Sequence, residues 1–308
     1  MLTVILGFAT SLVYGFADFF GAIAARRINA VLVTFLSGIS GLLFLLTLTP
    51  ALGASFDQQT LFWGISAGIA SAFAMTCLYA SLAIGPISIV SPLGAVVSAI
   101  VPAAVGFALG ERFGWTGWIA LGVILVAVVL VGFVPGEAVR LPSLKGLILG
   151  IAAGSGIGVV LICLAMAPDE SGLGPVILLR SVSAGILGGL LLVRVIASKA
   201  GAAGEAGAAS NAGADGKSKT FRLTTGRVEP KFWLAVIVAG LFDSSANVFF
   251  LLAARVPDGT LTVVSVLTAL YPLGTIILAR LVLKERIALV QQIGIGLALG
   301  GSALLALN

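Results

Sequence analysis

The chain has 308 residues, 59% hydrophobic and 9% charged, with 17 Lys and Arg against 12 Asp and Glu. An ordinary soluble domain is roughly half apolar and about a quarter charged, so a water-soluble globule of this makeup is excluded. Histidine is absent, which removes His metal ligation, His general-base chemistry and His proton relays.

The apolar residues fall in runs of about twenty, the length a helix rising 1.5 Å per residue needs to cross a hydrocarbon core about 30 Å thick. Ten spans are predicted, at 3–24, 29–50, 60–84, 87–110, 114–134, 143–166, 173–196, 231–254, 259–283 and 287–307. The first is too long for the apolar core of a cleaved signal, and Arg26 and Arg27 follow it rather than lead it, so it reads as a transmembrane helix. It carries Ser11, Tyr14, Gly15 and Asp18 at i, i+3, i+4 and i+7, a single polar stripe.

Span three sets Ala72, Met75, Tyr79 and Ala83 on one face, and span four bears Ser91 and Pro92 before ending in "LGERF". Span six contains "GSGIG" at 154–158, which superficially resembles a phosphate loop or a nucleophile elbow. It follows no strand, however, and has no His or Lys to activate Ser155. Span seven carries Arg180, and the segment 198–230, with "GAAGEAGAASNAGADGKSK", offers little to bury and reads as a flexible tether.

"FDSSANVFF" in span eight places Asp243, Asn247 and Phe250 on one face with Ser244 beside them. Span nine supplies Ser265, Tyr271 and Pro272 and ends in "LKERI". Pro92 and Pro272 are expected to kink their helices and free backbone carbonyls. Cys77 and Cys163 lie inside spans and read as small packing residues. Glycines four apart, at 64/68, 106/110, 150/154/158 and 296/300, read as faces for close helix approach.

Basic residues are retained on the cytoplasmic side. Of the 17, all but Arg112, Arg255 and the intramembrane Arg180 lie in or beside odd-numbered connections. Without the long seven–eight connection the count is still seven (26, 27, 140, 145, 280, 284, 286) against two. The odd connections are therefore expected in the cytoplasm and both termini outside.

Internal symmetry explains the Glu-Arg pairs. Aligning Glu111-Arg112 with Glu285-Arg286 brings Ser71-Ala72 onto Ser245-Ala246, Gly85 onto Gly259, Val90-Ser91 onto Val264-Ser265, Leu93 onto Leu267, Ala95 onto Ala269 and Gly122 onto Gly296. Earlier in each half the offset is smaller: "ILG" at 5–7 matches 148–150, and Gly15 matches Gly158. The chain divides into a first five-helix repeat, 1–134, a connector, 135–142, and a second repeat, 143–307, that contains the tether. Five spans per repeat force the second copy to enter from the opposite face, the inverted-repeat architecture associated with alternating access. The Glu-Arg pairs are expected to mark the turn between spans four and five of each copy, as helix-end and headgroup anchors.

A Pro/Ser-bearing fourth span ending in "LGERF" or "LKERI", followed by a Gly-rich fifth span ("WIALGVILVAVVLVG", "QQIGIGLALGGSALLAL"), resembles the EamA repeat of the drug/metabolite transporter superfamily. Within it the chain is similar to bacterial amino-acid and metabolite exporters of the YddG type. The resemblance implies an all-α polytopic fold of ten transmembrane helices in two inverted repeats, with a central cavity between them. It implies a transporter rather than an enzyme, in the bacterial inner membrane, with no cofactor, metal or nucleic-acid partner. Ten-span members are often drawn with both termini in the cytoplasm, opposite to the charge count. Because one chain supplies both repeats, a monomer is expected.

Charges inside spans usually face a cavity or a partner. Asp18, Arg180 and Asp243 align with Leu161, Thr34 and Ile69, so none has a charged image in the other repeat. The expected substrate-binding set is Tyr14, Asp18, Met75, Tyr79, Ser91, Asp243, Ser244, Asn247, Phe250, Ser265 and Tyr271. Such a surface suits a zwitterion whose ammonium meets Asp243, so export of neutral or aromatic amino acids is the leading expectation. Export of lipophilic cations held by Asp18 and Asp243 is the alternative, and a non-transporting scaffold is a third. Arg180 is expected to pair with Asp243 or Asp18 as a structural bridge.

Overall fold

The computed structural model describes residues 1–84, 87–132, 143–209, 224, 228–257, 259–284 and 288–306. The connector 135–142, Gly85 and the Glu285-Arg286 pair lie outside the described residues, as do the side chains of Tyr79, Ser91 and Pro92. The helices are α1 (Leu2–Ala25), α2 (Ala30–Leu52), α3 (Gln58–Ile84), α4 (Ile87–Ala108), α5 (Trp115–Gly132), α6 (Leu144–Ala165), α7 (Gly174–Ala209), α8 (Pro230–Ala254), α9 (Leu261–Thr268), α10 (Pro272–Val282) and α11 (Leu289–Ala306). Among the described residues eight helical stretches are long and apolar enough to cross a membrane, and two shorter apolar ones stand at Leu93–Ala108 and Leu289–Leu305. The ten predicted spans are present, with two departures.

Span nine is two helices rather than one, and α7 continues to Ala209, well into the segment read as a flexible tether. The first turns of these helices are set by local hydrogen bonds. Asn29 accepts from the Val31 N–H at 3.0 Å, Ser143 from Gly146 at 3.2 Å and Thr260 from Val263 at 3.2 Å. Each satisfies a donor that the helix itself cannot reach. At the start of α3, Asp57 accepts from the Thr60 N–H and hydroxyl, at 2.8 and 2.9 Å. These bonds hold its carboxyl below the usual range.

Which helices touch follows a rule. With α1–α5 as one half and α6–α11 as the other, α1 packs on α8 and α3 on α6. Likewise α2 packs on α8 and α3 on α7, while α4 packs on α6 and α1 on α9 and α10. The pairs α2 with α7, α5 with α11 and α4 with α9 are their own images. Exchanging the halves therefore returns the same set of main helix pairings, as a pseudo-two-fold relation requires.

Small residues set the spacing. A methyl group at Gly15 of α1 would stand 2.6 Å from the Gly274 Cα of α10, and one at Gly158 of α6 would stand 2.9 Å from the Val101 Cβ of α4. Gly64 and Gly68 face Leu178 and Val182 of α7 as closely. Two glycine expectations are corrected. Gly296 and Gly300 have open space beside them, and Gly294 and Gly301 instead make the close contact of α11 with α5. Gly110 lies beyond the end of α4 at φ +100°.

One buried apolar cluster joins α2, α3, α6, α7, α8 and α9 around Leu45, Leu164, Leu179 and Phe250, and another joins α4, α5, α9 and α11 around Ile124, Val128 and Leu267. The outer surface is equally apolar. Leu43, Phe62, Ile69, Trp118, Leu192 and Leu234 are all exposed, an arrangement that suits hydrocarbon and not water.

Candidate functional site

The intramembrane charges meet where α1, α7, α8 and the break in span nine come together. Arg180 Nη1 of α7 lies 2.6 Å from Asp243 Oδ2 of α8, the arginine side chain 8% and the aspartate side chain 31% exposed. Asp18, on α1, is exposed and within electrostatic reach of Asp243. Tyr14, one turn from Asp18, is within reach of Asp243, Arg180 and Asp18. Tyr271, at the break, is within reach of Asp18. Two carboxylates, one guanidinium and two phenols thus share one region, in which Asp18 is exposed and Asp243 part-exposed.

Tyr271 is brought to Asp18 by a close contact between α1 and α10. Because Gly15 and Gly274 lack side chains, α10 approaches until the Thr275 hydroxyl donates to the Gly15 carbonyl at 3.1 Å. Pro272 starts α10, where its missing N–H is tolerated. Local bonds satisfy part of the break. Leu267 O accepts from the Leu270 N–H at 3.1 Å, Thr268 O from Tyr271 at 3.1 Å and Tyr271 O from Gly274 at 3.1 Å, each a tighter i+3 bond. The helix α4 runs on through position 92 without interruption.

Several residues expected to line a pocket have other surroundings. Phe250 is fully buried in the apolar core beside Leu45 and Val264. Its hydrophobic ring is held by packing and presents no surface to a ligand. Asn247 is 2% exposed and its amide donates to the Asp243 carbonyl of its own helix at 2.7 Å. Ser244 and Ser265 are fully buried with hydroxyls that have no hydrogen-bond partner among the described residues. Ser244 sits where α8 meets Gly41 of α2, too tightly packed for a ligand. Met75 is half-buried on α3. Other hydroxyls bond the preceding turn, as Ser11 does to Phe8 O and Ser181 to Ile177 O.

Three features escaped the sequence reading. Phe242, next to Asp243 in sequence, contacts Phe16 and Phe20 of α1 with ring centroids 5.7 and 5.9 Å apart, an aromatic contact between α8 and α1. Glu111 is not merely a headgroup anchor. Its carboxylate accepts from the Leu261 N–H at 2.7 Å and the Thr262 N–H at 3.1 Å, capping α9 of the other half. Gly110 makes this reach feasible: its N–H goes to Phe107 O and that of Glu111 to Gly106 O, a left-handed glycine turn closing α4.

Arg255 gathers the six–seven connection on the same side. It donates to Gly172 O at 3.1 Å, to Pro168 O at 2.8 Å and to the Ser171 hydroxyl at 2.8 Å. Ser55 N–H to Ser171 O and Leu173 N–H to Gly53 O join that connection to the two–three connection. The face carrying the even-numbered connections is therefore tied across the two halves.

Comparison with known proteins fits this architecture. The chain matches the description of the EamA-like transporter family over residues 1–133 and 219–307. One solved structure, titled "Crystal structure of protein", superposes with a TM-score of 0.72 at 15% identity, covering 99% of this chain and 98% of that one. At that identity the likeness is one of fold. Comparison with curated proteins finds no match.

Proposed function

We propose, for a chain that belongs to the EamA-like transporter family and is thus a multi-pass membrane transporter of small molecules, that the cargo is a neutral or aromatic amino acid. The observation that carries this reading is Asp243, part-exposed deep within α8 with Asp18, Tyr14 and Tyr271 around it. A carboxylate at that depth is costly unless it meets a partner or a polar ligand. The ammonium group of the cargo meets Asp243, and its side chain lies against Tyr14, Tyr271 or the Phe16–Phe242 rings.

Transport follows alternating access between the two halves, with the Glu111 cap on α9 among the contacts that open and re-form. The protein works as a monomer in the bacterial inner membrane with both termini outside. Met75, Tyr79 and Ser91 remain in the proposed lining. Phe250, Ser244, Asn247 and Ser265 are assigned to packing.

The test is counterflow of labelled phenylalanine, methionine and threonine into liposomes loaded with unlabelled amino acids. Asp243→Asn is expected to reduce accumulation about tenfold or more while the purified protein stays folded. Unchanged accumulation would remove Asp243 from the site.

One feature favours a second reading. The cluster holds two carboxylates and one guanidinium, an acidic excess that also suits a lipophilic cation. Competition of the amino-acid signal by ethidium, or ethidium flux where amino acids show none, would favour that alternative.

A further inference from the structure

Arg180 is a buried guanidinium with most of its hydrogen-bonding capacity unused. Only Nη1 reaches Asp243, while Nε and Nη2 have no partner among the described residues. A guanidinium is a planar fork that takes carboxylates through two parallel bonds, and leaving charged donors unpaired away from water is unfavourable. A residue kept solely to neutralise Asp243 would use both prongs on it. The observed pair is one-pronged, and its outer member, Asp243, is the one that solvent reaches.

The charge count points the same way. Two acids, Asp18 and Asp243, stand with one base, Arg180, so the acids have capacity for an ammonium group. The unpaired edge of Arg180 has capacity for an anion. A single cation satisfies the first and leaves the second open, and a single anion does the reverse. A ligand carrying both satisfies the whole cluster.

We infer that Arg180 is the carboxylate receptor of the transport site and that its bond to Asp243 is a resting contact, which the cargo opens by exchanging its own ammonium and carboxylate into the pair. This rests on the amino-acid reading above and narrows it: the cargo must carry a free carboxylate beside its ammonium group. Nε and Nη2 are sealed from solvent while Asp243 holds its place, so access to them requires that exchange. No covalent step is involved.

Three ligands of one shape test this: phenylalanine, phenethylamine, which lacks the carboxylate, and 3-phenylpropionate, which lacks the ammonium. Each is measured as a competitor of labelled phenylalanine, and directly by binding to purified protein, for wild type, Arg180→Gln and Asp243→Asn. Both substitutions break the same bridge. Arg180→Gln is expected to weaken phenylalanine and phenylpropionate about tenfold or more while phenethylamine changes little. Asp243→Asn is expected to weaken phenylalanine and phenethylamine and spare phenylpropionate.

Equal shifts for all three ligands in both variants would make the pair purely structural and overturn the inference. If Arg180→Gln does not fold, Arg180→Lys keeps the charge and loses the fork, and a smaller loss confined to the two acids is expected. Wild type that binds phenethylamine but neither acid would overturn the role of Arg180 and leave a transporter of amines. Wild type that binds none of the three would overturn the amino-acid reading itself, and this inference with it.

Discussion

Spans four and nine carry the same Val-Ser pair, with Leu93 and Ala95 matching Leu267 and Ala269, and yet they fold differently. α4 is one helix from Ile87 to Ala108, whereas span nine stops at Thr268 and restarts at Pro272. At the repeat offset, Ser98 stands where Pro272 does. Ser98 has an N–H to continue the helix, and its hydroxyl bonds Ala95 O at 2.9 Å. Pro272 has no N–H, so the turn before it tightens and Tyr271 is left at the joint, within reach of Asp18. The asymmetry lies where the charges also lack images, so the site is built from departures from the repeat.

The ends of the two spans agree where their middles do not. Gly110 closes α4 in the left-handed region, and Lys284, its image, holds φ +56° after α10. A lysine accepts there a conformation that favours glycine. The shape of the turn is therefore kept by the repeat even where the residue is not.

The largest effect is expected from making span four resemble span nine. Ser98→Pro removes an N–H and inserts a ring into a continuous, buried helix, and should cost about 3 kcal/mol, read as a lowered thermal midpoint in detergent. A loss below about 1 kcal/mol would mean that α4 tolerates the break and that the two spans are interchangeable.

Next come the paired glycines. Gly15→Ala drives a methyl into the Gly274 backbone and Tyr271 O, while Gly158→Ala meets the movable Val101 side chain. The first should destabilise by about 2–3 kcal/mol and the second by about 1 kcal/mol. Equal costs in the same unfolding assay would show that the α1–α10 approach is no more constrained than α4–α6.

The reverse exchange, Pro272→Ala, should leave the unfolding midpoint unchanged or raised and slow counterflow about tenfold, roughly 1.4 kcal/mol. Unimpaired flux would mean that the broken helix is not needed to present Tyr271. The smallest effect is Lys284→Gly, which should relieve the left-handed backbone and raise stability by ~0.5 kcal/mol. A destabilisation would show that the lysine side chain contributes more than its backbone strain removes.

The ten spans were legible because each needs about twenty apolar residues, a signal carried by composition alone. The repeat was legible because its marks are local: Glu-Arg pairs, the Val-Ser pairs and glycines at a fixed offset. Asp18, Arg180 and Asp243 stood out because charge inside a span is rare. The remaining site residues were chosen by helix face, which does not by itself separate a cavity from the core. Asn247 and Phe250 share a face with Asp243, but a face in the interior of a bundle meets other helices as readily as a cavity. Asn247 turns back to its own backbone, and Phe250 enters the core.

What the sequence determined by itself was the set of helices, their twofold repetition and the three intramembrane charges, because hydropathy and spacing act along the chain. What only the tertiary structure decided was who meets whom. The single-pronged Arg180–Asp243 contact, the Glu111 cap on α9 and the approach of Tyr271 to Asp18 join residues 63, 150 and 253 positions apart. Such partners are chosen by how closely small residues let helices approach, and no local pattern records that choice.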